Sequence, residues 1–370
     1  MLGAEAAPPQ PVAPGLGAEA VKKSFAEAWY VDRVDVSGDR LAASGWSMPL
    51  AFDEEPPEGW FRVNGRRFDE LRCPLPRPDV AAFFRIPEAE RSGFEGSIAG
   101  LPEAYPDGVL EIVRVRPGTP AIERGRDSWF LPDPALHADL PDADRRFRVI
   151  GDRDATGFLV SGATDFHRLD RVVAAVAGQK MDAFGRVLDW GVGCGRLARH
   201  FPMARGAALT GCDIDHDNVA WCNAHLPGRF VACELSPPLP FDDAGFDLVY
   251  SVSVFTHFLE EMQLKWLAEL GRVMAPGALL LTTIHGQTSF DFGRYEPDKY
   301  RQLEEEIRTR GIVFSHTNAQ LDGHVDHGGE YVNVFHDLDY VRRVWSRFFD
   351  VLHILPGYIG THDLVVLRKR

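Results

Sequence analysis

The chain is 370 residues long, 45% hydrophobic and 25% charged, with a formal net charge of −14 at pH 7. The length exceeds that of one ordinary domain and makes two the expectation, while the acidity excludes non-specific nucleic-acid binding, which needs a basic surface. No run reaches the roughly 18–20 apolar residues of a membrane span, and the opening MLGAEAAPPQPVAPGLGAEA has neither the basic start nor the apolar core of a secretory signal.

Residues 1–24 read as a disordered tail rich in Ala, Pro and Gly. Residues 25–128 have the texture of a small β-rich domain. VDRVDVSG, LAASGWSM, GWFRVNGRRF, AAFFRI and VLEIVRVR are β-branched or aromatic runs broken by Gly, Pro and Asp. The Asn-Gly of VNGRRF predicts a hairpin. Trp46 and Trp60 are either core residues, the commoner fate of Trp, or a platform for stacking a sugar.

A Pro- and Asp-rich linker covers 129–150, and from 151 to 370 the rhythm changes to alternating strand and helix, the mark of a parallel α/β sheet. A helix is predicted over 164–178, with Leu169, Val172, Val173 and Val176 on one face and Gly178 closing it. Strands are predicted at 186–190, 208–214, 229–235, 246–253 and 278–284. Helices are predicted after Asp213-Ile214-Asp215, over 260–277 and, as a charged surface helix with Glu304/Arg308 and Glu306/Arg310 pairs, over 296–310. FFDVLHILPG and HDLVVLRKR form a terminal hairpin, so one strand runs antiparallel to the rest. The five cysteines make no CxxC pattern. Cys194, Cys212, Cys222 and Cys233 read as small buried thiols, as in a reducing cytoplasm.

The chemistry concentrates at VLDWGVGCGRLARHF, residues 187–201: an apolar strand, an acid, three glycines and an apparent amphipathic helix. A dinucleotide loop needs Gly-x-Gly-x-x-Gly, but Gly191, Gly193 and Gly195 are spaced by two and Arg196 stands where the last glycine belongs. A P-loop Gly-Lys-Ser/Thr is missing, and Asp189 ahead of the glycines would repel a pyrophosphate while favouring an ammonium. The loop therefore suits a cationic, phosphate-free ligand.

Asp189-Trp190-Gly191-Val192-Gly193-Cys194-Gly195 resembles the acid-x-Gly-x-Gly-x-Gly motif of class I S-adenosylmethionine-dependent methyltransferases. GCDID, CELSPPLPF, FDLVYSVSVFTHF and VMAPGALLLTT follow in the order expected of that family, and the resemblance covers roughly residues 150–370. It implies a Rossmann-like sheet of seven strands in order 3-2-1-4-5-7-6, preceded by the small β-rich domain, with S-adenosyl-L-methionine as cofactor. It also implies that Asp189 favours the ammonium, that Gly191, Gly193 and Gly195 let the amino-acid tail approach, and that Asp213 accepts from the ribose hydroxyls. Glu234 then lies at the adenine, with Ile214, Leu235 and Ser251 as further cofactor contacts.

The acceptor side rests on position alone. His257 in VFTHF and His285 in TTIHG each follow a strand directly and are candidate general bases. The segment 314–336 carries His316, His324, Asp326, His327, Glu330 and His336, and is expected to bind the acceptor. Its spacing matches no tight metal motif, so no metal is assigned. The expected function is O-methylation of a sugar, glycan or specialised small metabolite. The alternatives are a protein methyltransferase that docks its substrate on the β-rich domain and a catalytically silent binding module. A cytoplasmic location is expected, and the sequence sets no oligomeric state.

Overall fold

The computed structural model describes residues 18–51, 60–136, 139–202, 208–293, 295–317 and 331–370. The stretch read as a disordered tail ends in a helix, Ala18–Phe25, whose Phe25 is buried against Phe84 at 5.0 Å. Among the described residues no helix is long and apolar enough to cross a membrane.

The N-terminal part contains two antiparallel four-stranded sheets. One is ordered Trp29–Ser37, Arg40–Ser47, Gly93–Ile98, Glu70–Leu75; the other Arg66–Arg67, Phe61–Val63, Val109–Arg114, Ser128–Pro132. Along Arg40–Ser47 every second residue turns inward, as one-faced burial requires. Leu41, Phe61, Phe94 and Ile112 make the core, with Phe61 and Phe94 stacked at 4.1 Å. Asn64 and Gly65 turn the hairpin with φ of 48° and 79°, the left-handed pair that such turns need. Trp60 is 3% exposed and belongs to this core, whereas Trp46 is half-buried and packs edge-on against Phe84.

Three local readings differ from the structure. AAFFRI is not a strand. Pro78 at the first helical position and Asp79 in the first turn start a helix, Pro78–Phe84, that buries Val80 and Phe84 four residues apart. Ser128–Pro132, at the start of the expected linker, is a strand paired with Val109–Arg114. The rest of that linker contains a helix, Ala143–Ile150, capped by Asp142 and closed by Gly151.

The C-terminal part is built on seven strands: β1 (Arg186–Trp190), β2 (Ala208–Asp213), β3 (Arg229–Ala232), β4 (Phe246–Ser251), β5 (Met274–Ile284), β6 (Phe349–Ile359) and β7 (His362–Lys369). Their order across the sheet is β3-β2-β1-β4-β5-β7-β6, all parallel except the pairings of β7. Both faces are covered, so β5 buries Leu279 and Leu281 on one side and Leu280 on the other. Helices α1 (Ala155–Ala177) and α2 (His216–His225) cover the first face through Leu169, Val172 and Cys222. On the second face lies α3 (Glu260–Val273), with Trp266 and Leu270. Further along the chain come α4 (Gln287–Phe292), α5 (Pro297–Arg310) and α6 (Leu338–Trp345), the last burying Val341 and Trp345 on that second face. Helix α1 starts well before 164: Asp154 caps it, and tertiary burial of Phe158 and Ala163 outweighs the glycines at 157 and 162. On α5, Arg308 pairs with Glu305.

Among the described residues no α-helix directly follows the glycines. Gly193 and Gly195 hold φ of 54° and 77°, which breaks a helical ladder, and Pro202 ends what remains, so only a 3-10 turn forms at Ala198–His200.

Candidate functional site

The parallel strands β1, β2 and β4 deliver their carboxyl ends to one edge of the sheet, the usual ligand edge of such folds. The chain leaves β1 at Trp190 and bends over the end of β2, where the Gly191 and Val192 N–H groups both donate to the Cys212 carbonyl at 2.8 and 3.0 Å. Only glycine satisfies this path. A Cβ at Gly191 would stand 2.4 Å from Val254 Cγ2, and one at Gly193 2.7 Å from Val149 Cγ2. Gly191 and Gly193 line a cleft together with Asp213, Ile214, Glu234 and His257. Gly195 serves packing instead: its missing Cβ makes room for Leu226 Cδ1, which would be 2.1 Å away.

Two buried acids set the electrostatics. Asp189 sits on β1 with Gly211 and Tyr250 as its strand neighbours. Burial pushes its pKa up to about 7, Asp213 adds to the rise, and the Tyr250 hydroxyl and Arg196 oppose it. Asp213 ends β2; burial raises it to about 6, against the N–H groups of Asp215 and Gly193, which donate to Oδ1 at 2.8 Å and Oδ2 at 2.7 Å. A carboxylate has about four acceptor directions, so each oxygen keeps room for a ribose hydroxyl. Of these two, only Asp213 lines the cleft; Asp189 is buried behind it, and a cation bound nearby would favour the ionised form of both acids. The donor set thus fits adenosylmethionine.

Several wall residues, Arg148, Val149, Ser253 and Tyr331 among them, were not picked out by sequence patterns. Arg148 and Val149 come from the linker helix. Arg148 is buried and donates to Asp215 at 2.8 Å and Asp217 at 2.9 Å, fastening that helix to the cap of α2. Tyr331 arrives from beyond β5, and Ser253 follows β4. Ser251 does not reach the cleft: its Oγ lies 2.7 Å from Thr282 Oγ1, between β4 and β5. Two residues on, Ser253 turns to the cleft with φ of 62°, its N–H held by Thr283 Oγ1 at 2.8 Å. Leu235 also faces away, packing on the core with its carbonyl accepting from Trp266 Nε1 at 3.2 Å.

His257 lines the cleft, stacked on Tyr331 at 4.2 Å. Its Nδ1 lies 2.9 Å from the Val332 carbonyl. A carbonyl only accepts, so the proton is on Nδ1 and Nε2 is the basic nitrogen, 3.3 Å from Ser253 Oγ. Burial lowers its pKa to about 4 and keeps the ring neutral. His285 stands one ring further back, 6.3 Å from His257 and 4.7 Å from His362, outside the cleft wall. His336 is buried and bonded to Gln263, as a core histidine. The His316 side chain and residues 318–330, which include His324, Asp326, His327 and Glu330, lie outside the described residues. Among the described residues no three metal-ligating side chains converge.

Residues 188–282 match the family model of a methyltransferase domain. An uncharacterized protein of Haemophilus influenzae is 28% identical over 103 residues, which are 26% of this chain and 41% of that protein; the chain thus spans less than half of its curated relative. Among solved structures, the chain is similar to an S-adenosylmethionine-dependent methyltransferase from Mesorhizobium loti (14% identity, 54% of this chain and 98% of that one, TM-score 0.37). It is also similar to the 1,6-didemethyltoxoflavin-N1-methyltransferase of Burkholderia thailandensis (14%, 65% and 95%, TM-score 0.39) and the magnesium protoporphyrin IX methyltransferase of Synechocystis (16%, 61% and 94%, TM-score 0.40). The segment that matches the methyltransferase-domain model runs from the strand that carries Asp189 into β5, so the glycine loop and Asp213 lie within it.

Proposed function

We propose that the protein O-methylates a small-molecule acceptor, with His257 as general base. The observation that carries this reading is the His257 ring: neutral, its proton committed to the Val332 carbonyl, and its unprotonated Nε2 on the wall of the cofactor cleft, where it can accept from Ser253 Oγ at 3.3 Å. An oxygen nucleophile of high pKa needs such a base, because its proton must leave as the new bond forms.

When bound, S-adenosylmethionine supplies an electrophilic methyl group on a cationic sulfur. In this reading Gly191 and Gly193 let its tail lie against the backbone, Asp189 favours the ammonium and Asp213 accepts from the ribose. Glu234 and Ile214 flank the adenine. His257 Nε2 takes the acceptor's proton as the acceptor oxygen bonds the methyl carbon and the carbon–sulfur bond breaks. Alignment of oxygen, carbon and sulfur is the chief task of the site. The free cysteines support a reducing, cytoplasmic setting.

Purified protein incubated with methyl-labelled cofactor and separate panels of phenols, carboxylic acids, sugars and proteins tests this. A labelled methyl ether or ester is expected, with turnover reduced at least about tenfold in His257→Ala at unchanged cofactor affinity. Label on nitrogen or on a polypeptide, or undiminished turnover in the variant, would refute it.

A further inference from the structure

The β-rich and α/β parts leave between them a cavity of about 1030 Å³. Packed interiors keep few voids larger than a water molecule, and small-molecule sites have roughly this size. None of the residues lining the cofactor cleft lines this cavity. One wall is aromatic, with Phe25, Trp29, Tyr30, Trp46 and Phe84; the other is made by α1 from Val160 to Arg168, by α4 and by the β6–β7 turn at Gly360 and Thr361. Phe25 meets Phe292 across the domain boundary at 6.1 Å. Tyr30 and Phe292, 45% and 39% exposed, both stand on this cavity, which leaves apolar surface unsatisfied where the two parts face each other.

Most charged groups deep in the walls are engaged, while Lys23 and Glu304 are exposed to solvent. Asp291 accepts from Gln287 and the Tyr300 hydroxyl, each at 2.8 Å, and from Ser24; Glu27 pairs with Arg116 at 2.5 Å and Asp165 with Arg196 at 2.6 Å. Arg168 gives its donors to the backbone carbonyls of Gly125, Arg126, Ser128 and Tyr358. What the cavity offers a ligand is therefore mainly ring faces and aliphatic surface, with two buried donors of its lining residues, Arg126 Nε and Trp129 Nε1, left without a partner. We propose that it is a second binding site, taking an uncharged, largely apolar small molecule that carries aromatic rings.

The site is tied to the glycine loop. Arg196, paired with Asp165 of the cavity wall, directly follows Gly195, and Gly162 of α1 lies so close to the Arg196 carbonyl that a Cβ there would be 2.4 Å away. An occupant that shifts α1 acts on that loop, and by linkage the cofactor acts on the occupant. This second part rests on the reading of the cleft as the cofactor site.

The test uses the full chain and the neutral fluorophore N-phenyl-1-naphthylamine. One saturable site is expected, with quenching of the wall tryptophans. Ser161→Trp on α1 and Thr288→Trp on α4 each fill the cavity and should weaken the probe at least tenfold, with the thermal melt and S-adenosylhomocysteine binding unchanged. No saturable site in the wild type, or full probe affinity in either folded variant, overturns the proposal. Saturating probe should also shift S-adenosylhomocysteine affinity about threefold or more; an unchanged affinity overturns the link. A chain that takes the probe but binds no S-adenosylhomocysteine would refute the cofactor assignment and leave the cavity standing.

Discussion

Replacing Asp189 by Asn should stabilise the protein at high pH while weakening its cofactor. The carboxyl has its pKa raised from 3.8 to about 7, chiefly by burial on the central strand. A folded chain that holds this proton more tightly than the unfolded one gains stability from it at acid pH and loses that gain as pH rises from about 4 through 7. At ~1.4 kcal/mol per pKa unit, the ionised form costs roughly 4 kcal/mol above pH 7. Asn has nearly the same shape and cannot ionise. Urea unfolding of wild type and Asp189→Asn at pH 5, 7 and 8 should show a gap of roughly 1.5 kcal/mol at pH 5 that widens to roughly 4 kcal/mol at pH 8. The variant should also bind S-adenosylhomocysteine more weakly, because the charge that burdens the fold is the one the ammonium needs. Two stability profiles that run parallel across this range would refute the reasoning.

Gly193→Ala sets a Cβ 2.7 Å from Val149 Cγ2 at a left-handed φ; about 1–2 kcal/mol of strain is expected, read by calorimetry as roughly tenfold weaker S-adenosylhomocysteine binding. Arg148→Met leaves Asp215 buried without its cation and should cost ~3–5 kcal/mol of stability in urea, with the cleft wall loosened as well. With its pKa lowered to about 4, His257 is already in its basic form across neutral pH, so turnover should be flat between pH 6 and 8 as far as this group is concerned. An ascending limb near pH 6.5 that disappears in His257→Ala would contradict the neutral, buried ring.

The parts of the site that are consecutive in the chain were legible in it. Strand, acid and alternating glycines in 187–195 specify a close backbone approach and a negative site, and each strand that ends at the cleft is a dense apolar run. What sequence could not convey depends on register and on contacts between distant segments. Ser251 and Ser253 are equally polar and two residues apart, yet a bond to Thr282 holds one in the sheet while a left-handed φ turns the other to the cleft. Arg148 reads as one more charge in a basic stretch until α2 brings Asp215 against it. Pro78–Phe84 has strand-forming residues, but its first turn and the i, i+4 burial of Val80 and Phe84 decide for helix. The cavity leaves no local signature, because its walls come from segments more than three hundred residues apart.

β7, His362–Lys369, is buried between β5 and β6, although it follows β6 in the chain. On the ribosome, β5 therefore waits with an open edge while nearly eighty further residues are synthesised, and only their arrival seals it. During that interval the nascent domain presents Leu279, Leu280 and Leu281 beside unpaired backbone groups, the kind of edge that recruits chaperones or pairs wrongly with another chain. Translation speed and the integrity of β7 should thus govern the yield of native protein.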